Sequence, residues 1–359
     1  MKAAVCRAFG MPLTIEDLSL ASPKAGEVRV DIKSCAICHS DLTYIDGGWG
    51  GDLPAVFGHE ASGIVSEVGD SASDFKVGDR VVVTLIRSCG TCHSCAQGAQ
   101  VACETSFPLD AQSPLSAGGE TIKHGLRTGA FAEQAVVHQS QLAKIDDDIS
   151  FEVASLMACG VITGFGAVVN TAQVPVGATV AVIGLGGVGM NCVQGAAVAG
   201  ASTIVGLDIA ADKLELAKSF GATHSVDVNA GDVAEQVRAA TNGRGADYVF
   251  VSVGIKRAIE SAPDMLAPLG SMVIVGMPPT GVMTEFDPCN IASYSQKILG
   301  SKMGSARIRV DIPYLMGLYR DGRLKLDELI SNRYPFSEIN EAIAGVKRGD
   351  VLRNVVVFE

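Results

Sequence analysis

Four cysteines fall on one short stretch: Cys89, Cys92, Cys95 and Cys103 in SCGTCHSCAQGAQVACE, spaced C-x2-C-x2-C-x7-C. Four thiolates this close can complete a tetrahedron around Zn2+ and leave no coordination position open, so such a site holds a loop rather than doing chemistry. A ferredoxin-type iron–sulfur run is the rival; there the fourth cysteine comes three residues on, followed by proline. Here the gap is seven residues and Glu104 follows. Disulfides are disfavoured for clustered cysteines in a chain with no export signal. His93, inside the loop, reads as a solvent-facing residue.

A second chemistry-bearing segment is GLGGVG at 184–189, which fits G-x-G-x-x-G through Gly184, Gly186 and Gly189, with Gly187 in the same loop. It follows the apolar strand VAVI and opens a helix, the context a dinucleotide site needs. Gly184 permits the tight turn, Gly186 lets the backbone approach a pyrophosphate at the helix N-terminus, and Gly189 lets helix and strand pack closely. Asp208 ends the next strand, 19 residues beyond Gly189, placed to accept from the adenosine ribose hydroxyls. Its carboxylate would repel a 2′-phosphate, so NAD is favoured over NADP. The plainer readings are a glycine-rich turn without ligand, and Asp208 as a helix cap; Asp212 stands better placed for capping.

Three further pieces carry possible metal ligands: AICHSD at 36–41, Gly58-His59-Glu60 and Ala158-Cys159-Gly160. Spacing does not make them converge. A single cysteine in an apolar stretch is usually a core residue, and a single histidine is more often a satisfied interior group.

The elements that must position these residues change character along the chain. The first 150 residues read as short strands between turns: EVRVDIKSC alternates polar and apolar side chains, and GIVSEVG, DRVVVTLI and FAEQAVVH continue the series. From about residue 175 strands and helices alternate: ATVAVIG, VGMNCVQGAAVAG, STIVGLD, DKLELAKSFG, HSVDV, AEQVRAATNG, ADYVFVSVG, a helical IKRAIESAPDMLAPLG and SMVIVGM. Near-continuous apolar strands separated by helices indicate a parallel, doubly wound α/β sheet. VDIPYLMGLYRDGRL and SEINEAIAGVKRG read as late helices.

The 359 residues suggest two domains, and 48% hydrophobic against 19% charged residues suits a globular protein with ample core. With 28 Lys+Arg against 39 Asp+Glu, the net charge of −11 argues against nucleic-acid and anionic-membrane partners. No targeting segment is visible, which points to the cytoplasm. The most membrane-like stretch, 178–207, has seven glycines and is better explained as a buried strand–turn–helix–strand.

Taken in order, CHSD, GHE, VGDRV, the cysteine loop, ACGVITG, GLGGVG, Asp208, VGMPP and INEAIAGVKRG…LRNVVV resemble the zinc-dependent alcohol dehydrogenases of the medium-chain dehydrogenase/reductase superfamily, almost end to end. The resemblance implies a GroES-like β-barrel catalytic domain of residues 1–160 and 304–359, and a Rossmann cofactor domain of residues 161–303, with the active site in the cleft between them. It implies that Cys38, His59 and Cys159 ligate a catalytic zinc, which keeps an open position. Asp41 would orient His59, and Glu60 would approach the metal transiently. Ser40 would bond the substrate hydroxyl. His39 would face the cofactor pyrophosphate, Thr163 the nicotinamide and Lys213 the adenosine ribose. Arg353 would reach a phosphate, and Trp49 would line the substrate pocket, although a loop aromatic is the plainer reading of Trp49. Tyr44 and Phe107 hint at further aromatic lining.

The implied reaction moves a proton and a hydride from one carbinol: zinc acidifies the alcohol, Ser40 passes the proton outwards and NAD takes the hydride. The partner is a small alcohol or aldehyde, and the assembly a homodimer or homotetramer. Two departures matter. Cys35 forms C-x2-C with Cys38 but sits where the family uses no ligand, and reads as a buried small side chain. Thr43 stands where many members carry the histidine that ends the proton relay. A zinc-free reductase and a non-catalytic protein on this fold fit less well, since every ligand piece is present, and a zinc-ribbon module would need a basic surface near Cys89–Cys103, which is nearly neutral. A dehydrogenase of S-hydroxymethyl thiol adducts stays open.

Overall fold

The computed structural model describes residues 1–349 and 351–359. The chain divides into two units, Met1–Gly160 with Arg307–Glu359, and Val161–Ala306. The return to the first unit falls three residues later than the expected residue 304. The reason is local: Met303–Ser305 forms a short turn whose Gly304 lies against Gly166 and the Ile162 carbonyl, inside the second unit.

In the second unit the apolar runs become a six-stranded sheet. Its order is His224–Asp227, Thr203–Asp208, Thr179–Ile183, Ala246–Val251, Leu266–Ile274 and Lys297–Gly300, every neighbouring pair parallel. Numbered in chain order this is 3-2-1-4-5-6, the doubly wound arrangement whose switch point lies beside the first strand. That strand, Thr179–Ile183, runs directly into the glycine loop and the helix Gly187–Ala199. The core between sheet and helices is built from Val205, Leu207, Val237, Val249, Val251, Ile259 and Met272. One expected helix is shorter than its sequence pattern. IKRAIESAPDMLAPLG is helical only over Lys256–Ser261, then forms a 3-10 turn with Pro263 and enters the strand Leu266–Ile274. Proline has no N–H to continue the ladder, and the residues after it pair with Ala246 instead.

The first unit is built from two mostly antiparallel sheets. Its longest strand, Glu27–Ala36, pairs with Glu60–Val68, Gln134–His138 and Arg353–Val357. One strand serves three partners because Gln134–His138 takes residues 27–31 and Arg353–Val357 residues 34–36 of one edge, while Glu60–Val68 runs along the other with register shifts at Arg29/Val30 and Ile32/Ser34. Its burial alternates through Val28, Val30 and Ile32 as the sequence pattern requires. The core gathers Val30, Ile32, Ile37, Val65, Val83, Phe131, Val137 and Leu142, closed by Ile339, Ile343 and Val346 of the helix Ile339–Arg348.

One helical run, Phe151–Thr171, is long and apolar enough to cross a membrane, and 89% of its most apolar window is buried within the protein. Burial accounts for that apolarity, as it does for the strand–helix–strand at 178–207. The run is not a regular α-helix: Met157–Val161 and Ala167–Thr171 are π-helical.

Candidate active site

The strand Glu27–Ala36 delivers Cys38 to the start of the helix His39–Ile45, where it is the N-cap residue. Asp41, three residues on, organises the surroundings. One oxygen accepts from the Cys38 backbone N–H at 3.2 Å; the other accepts from Gly58 N–H at 2.9 Å and from His59 Nδ1 at 3.0 Å. Gly58 must be glycine: its φ is +90°, and a Cβ would come within 2.5 Å of the Phe131 backbone nitrogen. With the hydrogen on Nδ1, His59 presents Nε2 as a lone pair.

Cys159 enters from the π-helical turn Met157–Val161. One ligand atom from each of Cys38, His59, Glu60 and Cys159 lies within 4.8 Å of the others, and all four residues are buried. His59 Nε2 and both Glu60 oxygens have no hydrogen-bond partner there. Buried polar atoms are rarely left so, and two sulfurs, an imidazole and a carboxylate suit a borderline-soft tetrahedral cation such as zinc. The ionisation pattern agrees. The hydrogen bond with Cys159 holds the Cys38 thiol well below its ordinary range, against burial and with help from His59. The same bond and burial push Cys159 up. Burial disfavours protonation of His59, yet Asp41 and Cys38 outweigh it and hold its pKa well above the usual imidazole value. Burial pushes Glu60 up to about 8, against the pull of Arg353.

Arg353, expected to reach a phosphate, is turned inwards. The strand Arg353–Val357 pairs with the end of Glu27–Ala36, which places residue 353 beside the cluster at 4% exposure. Its Nη2 lies 3.5 Å from Glu60 Oε1, and a Cβ on Gly160 would meet the same atom at 2.5 Å. Cys35 is buried beside this group, its thiol pushed well up by burial and by the negative charges of Asp41 and Glu60, as a small core side chain should be.

Ser40 and exposed His39 occupy the first turn of the helix that begins after Cys38. Thr43 donates its hydroxyl hydrogen to the His39 carbonyl at 2.9 Å. Trp49 meets Tyr44 edge-on at 5.1 Å between ring centres, and Tyr44 stacks on Phe57, two residues before His59. Phe107 packs instead against His138.

The cysteine loop forms a second cluster. Cys89, Cys92, Cys95 and Cys103 each place a sulfur within 4.8 Å of the others. Cys89 Sγ accepts from the backbone N–H of Cys92 at 3.2 Å and Thr91 at 3.4 Å, and Cys103 Sγ accepts from Cys89 N–H at 3.3 Å. Hydrogen bonds from Thr105, Thr91 and Cys92 hold the Cys89 thiol down at about 5. Exposed His93 pairs with Gln97 at 3.0 Å. The base of the loop is pinned by a residue the sequence did not single out. Arg87, 1% exposed, donates to Gln141 Oε1 at 2.7 Å, Asp110 Oδ1 at 2.9 Å and the Arg127 carbonyl at 3.0 Å. A lone arginine in VTLIRSC gives no local signal for those three distant partners.

In the second unit Gly184 has φ +88°, and a Cβ on Gly189 would come within 1.8 Å of the Gly184 carbonyl oxygen. At Gly186, the N-cap of the helix that Gly187 opens, a Cβ would meet nothing within 4 Å, so the loop's outer side is open. Asp208, expected at a ribose, accepts from the backbone with both oxygens. Oδ2 accepts from Leu185 N–H at 2.6 Å, and Oδ1 from Ile209 and Ala210 N–H at 2.8 and 3.0 Å, which ties the glycine loop to the next strand. Asp212, expected as the cap, lies inside the first turn of Ala211–Ser219; the N-cap is Ala210. Lys213 follows on that helix. Thr163 is buried and donates to Met303 Sδ at 3.6 Å.

With this geometry known, comparison with other proteins is specific. Residues 24–147 match the alcohol dehydrogenase GroES-like domain family, and residues 187–319 the zinc-binding dehydrogenase family. An NDMA-dependent alcohol dehydrogenase from Amycolatopsis methanolica is 34% identical over 99% of this chain and 98% of its own. An alcohol dehydrogenase from Malus domestica is also 34% identical, over 100% and 97%. Among solved structures, benzyl alcohol dehydrogenase from Acinetobacter calcoaceticus superposes with a TM-score of 0.93 at 30% identity, covering 100% of this chain and 99% of that one. The chain belongs to the zinc-binding alcohol dehydrogenases of the medium-chain dehydrogenase/reductase superfamily. Its first unit is the GroES-like fold and its second the Rossmann-type sheet.

Proposed function

We propose that this alcohol dehydrogenase passes hydride between the carbinol carbon of an alcohol and NAD, giving an aldehyde or ketone. The observation that carries the reading is the buried set of Cys38, His59, Glu60 and Cys159, with His59 Nε2 and the Glu60 oxygens making no hydrogen bond. Cys38, His59 and Cys159 would hold a catalytic zinc, with Glu60 as a transient ligand. Cys89, Cys92, Cys95 and Cys103 would hold a structural one. When bound, the catalytic ion acts as a Lewis acid towards the substrate oxygen.

The chain's own groups supply the rest. Asp41 keeps the His59 hydrogen on Nδ1, and Arg353 offsets the charge of Glu60. Ser40 takes the hydrogen bond from the substrate hydroxyl and passes its proton outwards. Trp49, held edge-on by Tyr44, would wall the substrate. In the second unit the backbone of Gly184, Gly186, Gly187 and Gly189 would cradle the pyrophosphate. Asp208 and Lys213 would meet the adenosine ribose, and Thr163 the nicotinamide. The Asp208 carboxylate selects NAD over NADP. The working form would be a cytoplasmic homodimer or homotetramer.

The test is metal analysis together with NADH formation from primary, secondary, aryl and thiol-adduct substrates, with an NDMA arm for the dependence its relative's name records. Two zinc ions per chain and NAD-linked turnover are expected. Cys38→Ala should abolish turnover, remove one ion and leave the fold. Cys92→Ala should lower Tm, because binding energy at a structural site is folding energy. Asp208→Gly should narrow the NAD preference. Fully metal-loaded protein without NAD-linked turnover on any substrate refutes the proposal.

A further inference from the structure

The glycine loop is held from both sides, and only one of the two residues that hold it, Asp208, belongs to the pattern visible in the sequence. The first strand, Thr179–Ile183, lies between Thr203–Asp208 and Ala246–Val251, with Ile183 paired to Leu207 on one side and to Val251 on the other. The chain that leaves Ile183 therefore passes between the residues that follow those two, Asp208 and Ser252.

Both reach the same peptide group. Ser252 donates its hydroxyl hydrogen to the Gly184 carbonyl at 2.7 Å, the usual O–H···O length, with the Ile183 carbonyl further off at 3.1 Å. Asp208 Oδ2 accepts from the Leu185 N–H at 2.6 Å. That carbonyl and that N–H are the two ends of one planar peptide unit, the one between Gly184 and Leu185. Side chains from two different strands clamp it at both ends, and it cannot flip without breaking both bonds.

Ser252 is itself fixed. Its N–H donates to the Ile183 carbonyl at 3.0 Å, and a Cβ on Gly276 would come within 2.6 Å of its carbonyl carbon. The Gly184 oxygen has a second close neighbour, since a Cβ on Gly189 would stand 1.8 Å from it. The clamped peptide thus sets how the chain enters the helix Gly187–Ala199. The first N–H groups of a helix have no partner within it, and the N-cap residue, Gly186, has no side chain to satisfy them.

We propose, on the dinucleotide reading of the glycine loop given above, that Ser252 is a positioning residue for the cofactor's diphosphate. By clamping the Gly184–Leu185 peptide against Asp208, it keeps the N–H groups at the start of the helix aimed at the phosphates. Without the hydroxyl the loop spends part of its time in other orientations, and affinity falls with the fraction of chains that stay competent. The loss falls on the phosphates and spares the adenosine.

The experiment displaces NADH, followed by its fluorescence, from the metal-loaded full chain with adenosine and with ADP. The ratio of the two dissociation constants reads what the diphosphate adds. In Ser252→Ala, ADP and NADH should bind about three- to tenfold more weakly, the size of one uncharged hydrogen bond. Adenosine should bind as before, so the ratio falls by that factor. Ser252→Cys, close in size but a weak donor, should shift the ratio in the same direction, and it decides should Ser252→Ala fail to fold. A merely structural role would weaken adenosine and ADP alike; that result, or unchanged ADP binding, overturns the proposal. Binding is read apart from turnover. A chain that binds ADP and NADH but oxidises no alcohol would refute the proposed reaction and leave the clamp standing, whereas one that binds neither refutes both.

Discussion

Asp41 holds three groups with one fully buried carboxylate: the Cys38 N–H, the Gly58 N–H and His59 Nδ1. It therefore fixes both the entry of one ligand strand and the tautomer of another ligand. Asp41→Asn keeps the shape but can accept at only one atom, so the His59 hydrogen loses its fixed position. Loss of such a supporting partner typically costs 10–100-fold in metal affinity. Zinc retention against a graded chelator should show a fall in that range; unchanged retention would contradict the role of Asp41. Thr43 argues a second prediction. Its hydroxyl hydrogen is committed to the His39 carbonyl, and threonine does not titrate, so the proton leaving Ser40 meets no base there. Alcohol oxidation should be slow at neutral pH and rise towards alkaline pH. Thr43→His should raise single-turnover NADH formation by roughly tenfold or less below that rise, since a solvent-exposed relay end contributes less than a full general base. Superimposed profiles from pH 6 to 10 would place the relay elsewhere. At this scale the four residues that meet in the buried cluster were legible only through the family resemblance, because CHSD, GHE and ACG read singly look like core residues. The inward turn of Arg353 and the clamp of Arg87 were not, since both arise from strands hundreds or tens of residues apart.

Among the elements, five of the six parallel strands of the second unit were the easiest to read, as short apolar runs closed by a glycine or acidic residue; the sixth, Lys297–Gly300, was missed. Their order was not read from the sequence and comes from the pairing in the structure. The first unit's strands were visible singly, but the pairing of Glu27–Ala36 with three partners is non-local and leaves no mark on any one segment. The π-helical turn that carries Cys159 was equally hidden, because MACGV has no residue type peculiar to it. The turn after Glu120–His124 yields a stability prediction. Burial, reinforced by Arg87, depresses the His124 pKa to about 4, against about 6.5 for an unfolded chain. Below 6.5 the unfolded state takes up a proton that the folded state refuses. The stability present above pH 6.5 is therefore lost as pH falls from there through 4, by roughly 3 kcal/mol. Metal loss at acid pH adds to any single curve, so the difference between the unaltered chain and His124→Gln is the quantity to measure. In urea unfolding that difference should shrink or reverse from pH 7.5 to pH 4.5. A difference independent of pH would remove the buried neutral His124 from the account.

For the whole molecule, the two edges of the parallel sheet differ. His224–Asp227 ends the sheet with a charged and polar face, a usual guard against further pairing. Lys297–Gly300, at the other end, pairs among the described residues only with Leu266–Ile274, and its Ile298 is 41% exposed. Close to it in the chain and the sheet, Leu269 is 69% exposed and bonds through its N–H to the Tyr294 carbonyl, with Tyr294 itself 52% exposed. An edge strand whose exposed Ile298 is flanked by exposed Leu269 and Tyr294 is what a second copy can cover, and a two-fold axis makes the contact self-complementary. The chain should therefore associate through Lys297–Gly300, as the homo-oligomer proposed above requires. Ile298→Lys puts a like charge on both sides of such an axis, where mutual repulsion opposes pairing. Light scattering at micromolar concentration should give at least a dimer mass for the unaltered chain and a mass halved, or shifted towards monomer, for Ile298→Lys. The variant should keep its full metal content, since no ligand lies in that unit. A monomeric unaltered chain would refute the assembly outright, and an oligomer indifferent to Ile298→Lys would move the interface to another face.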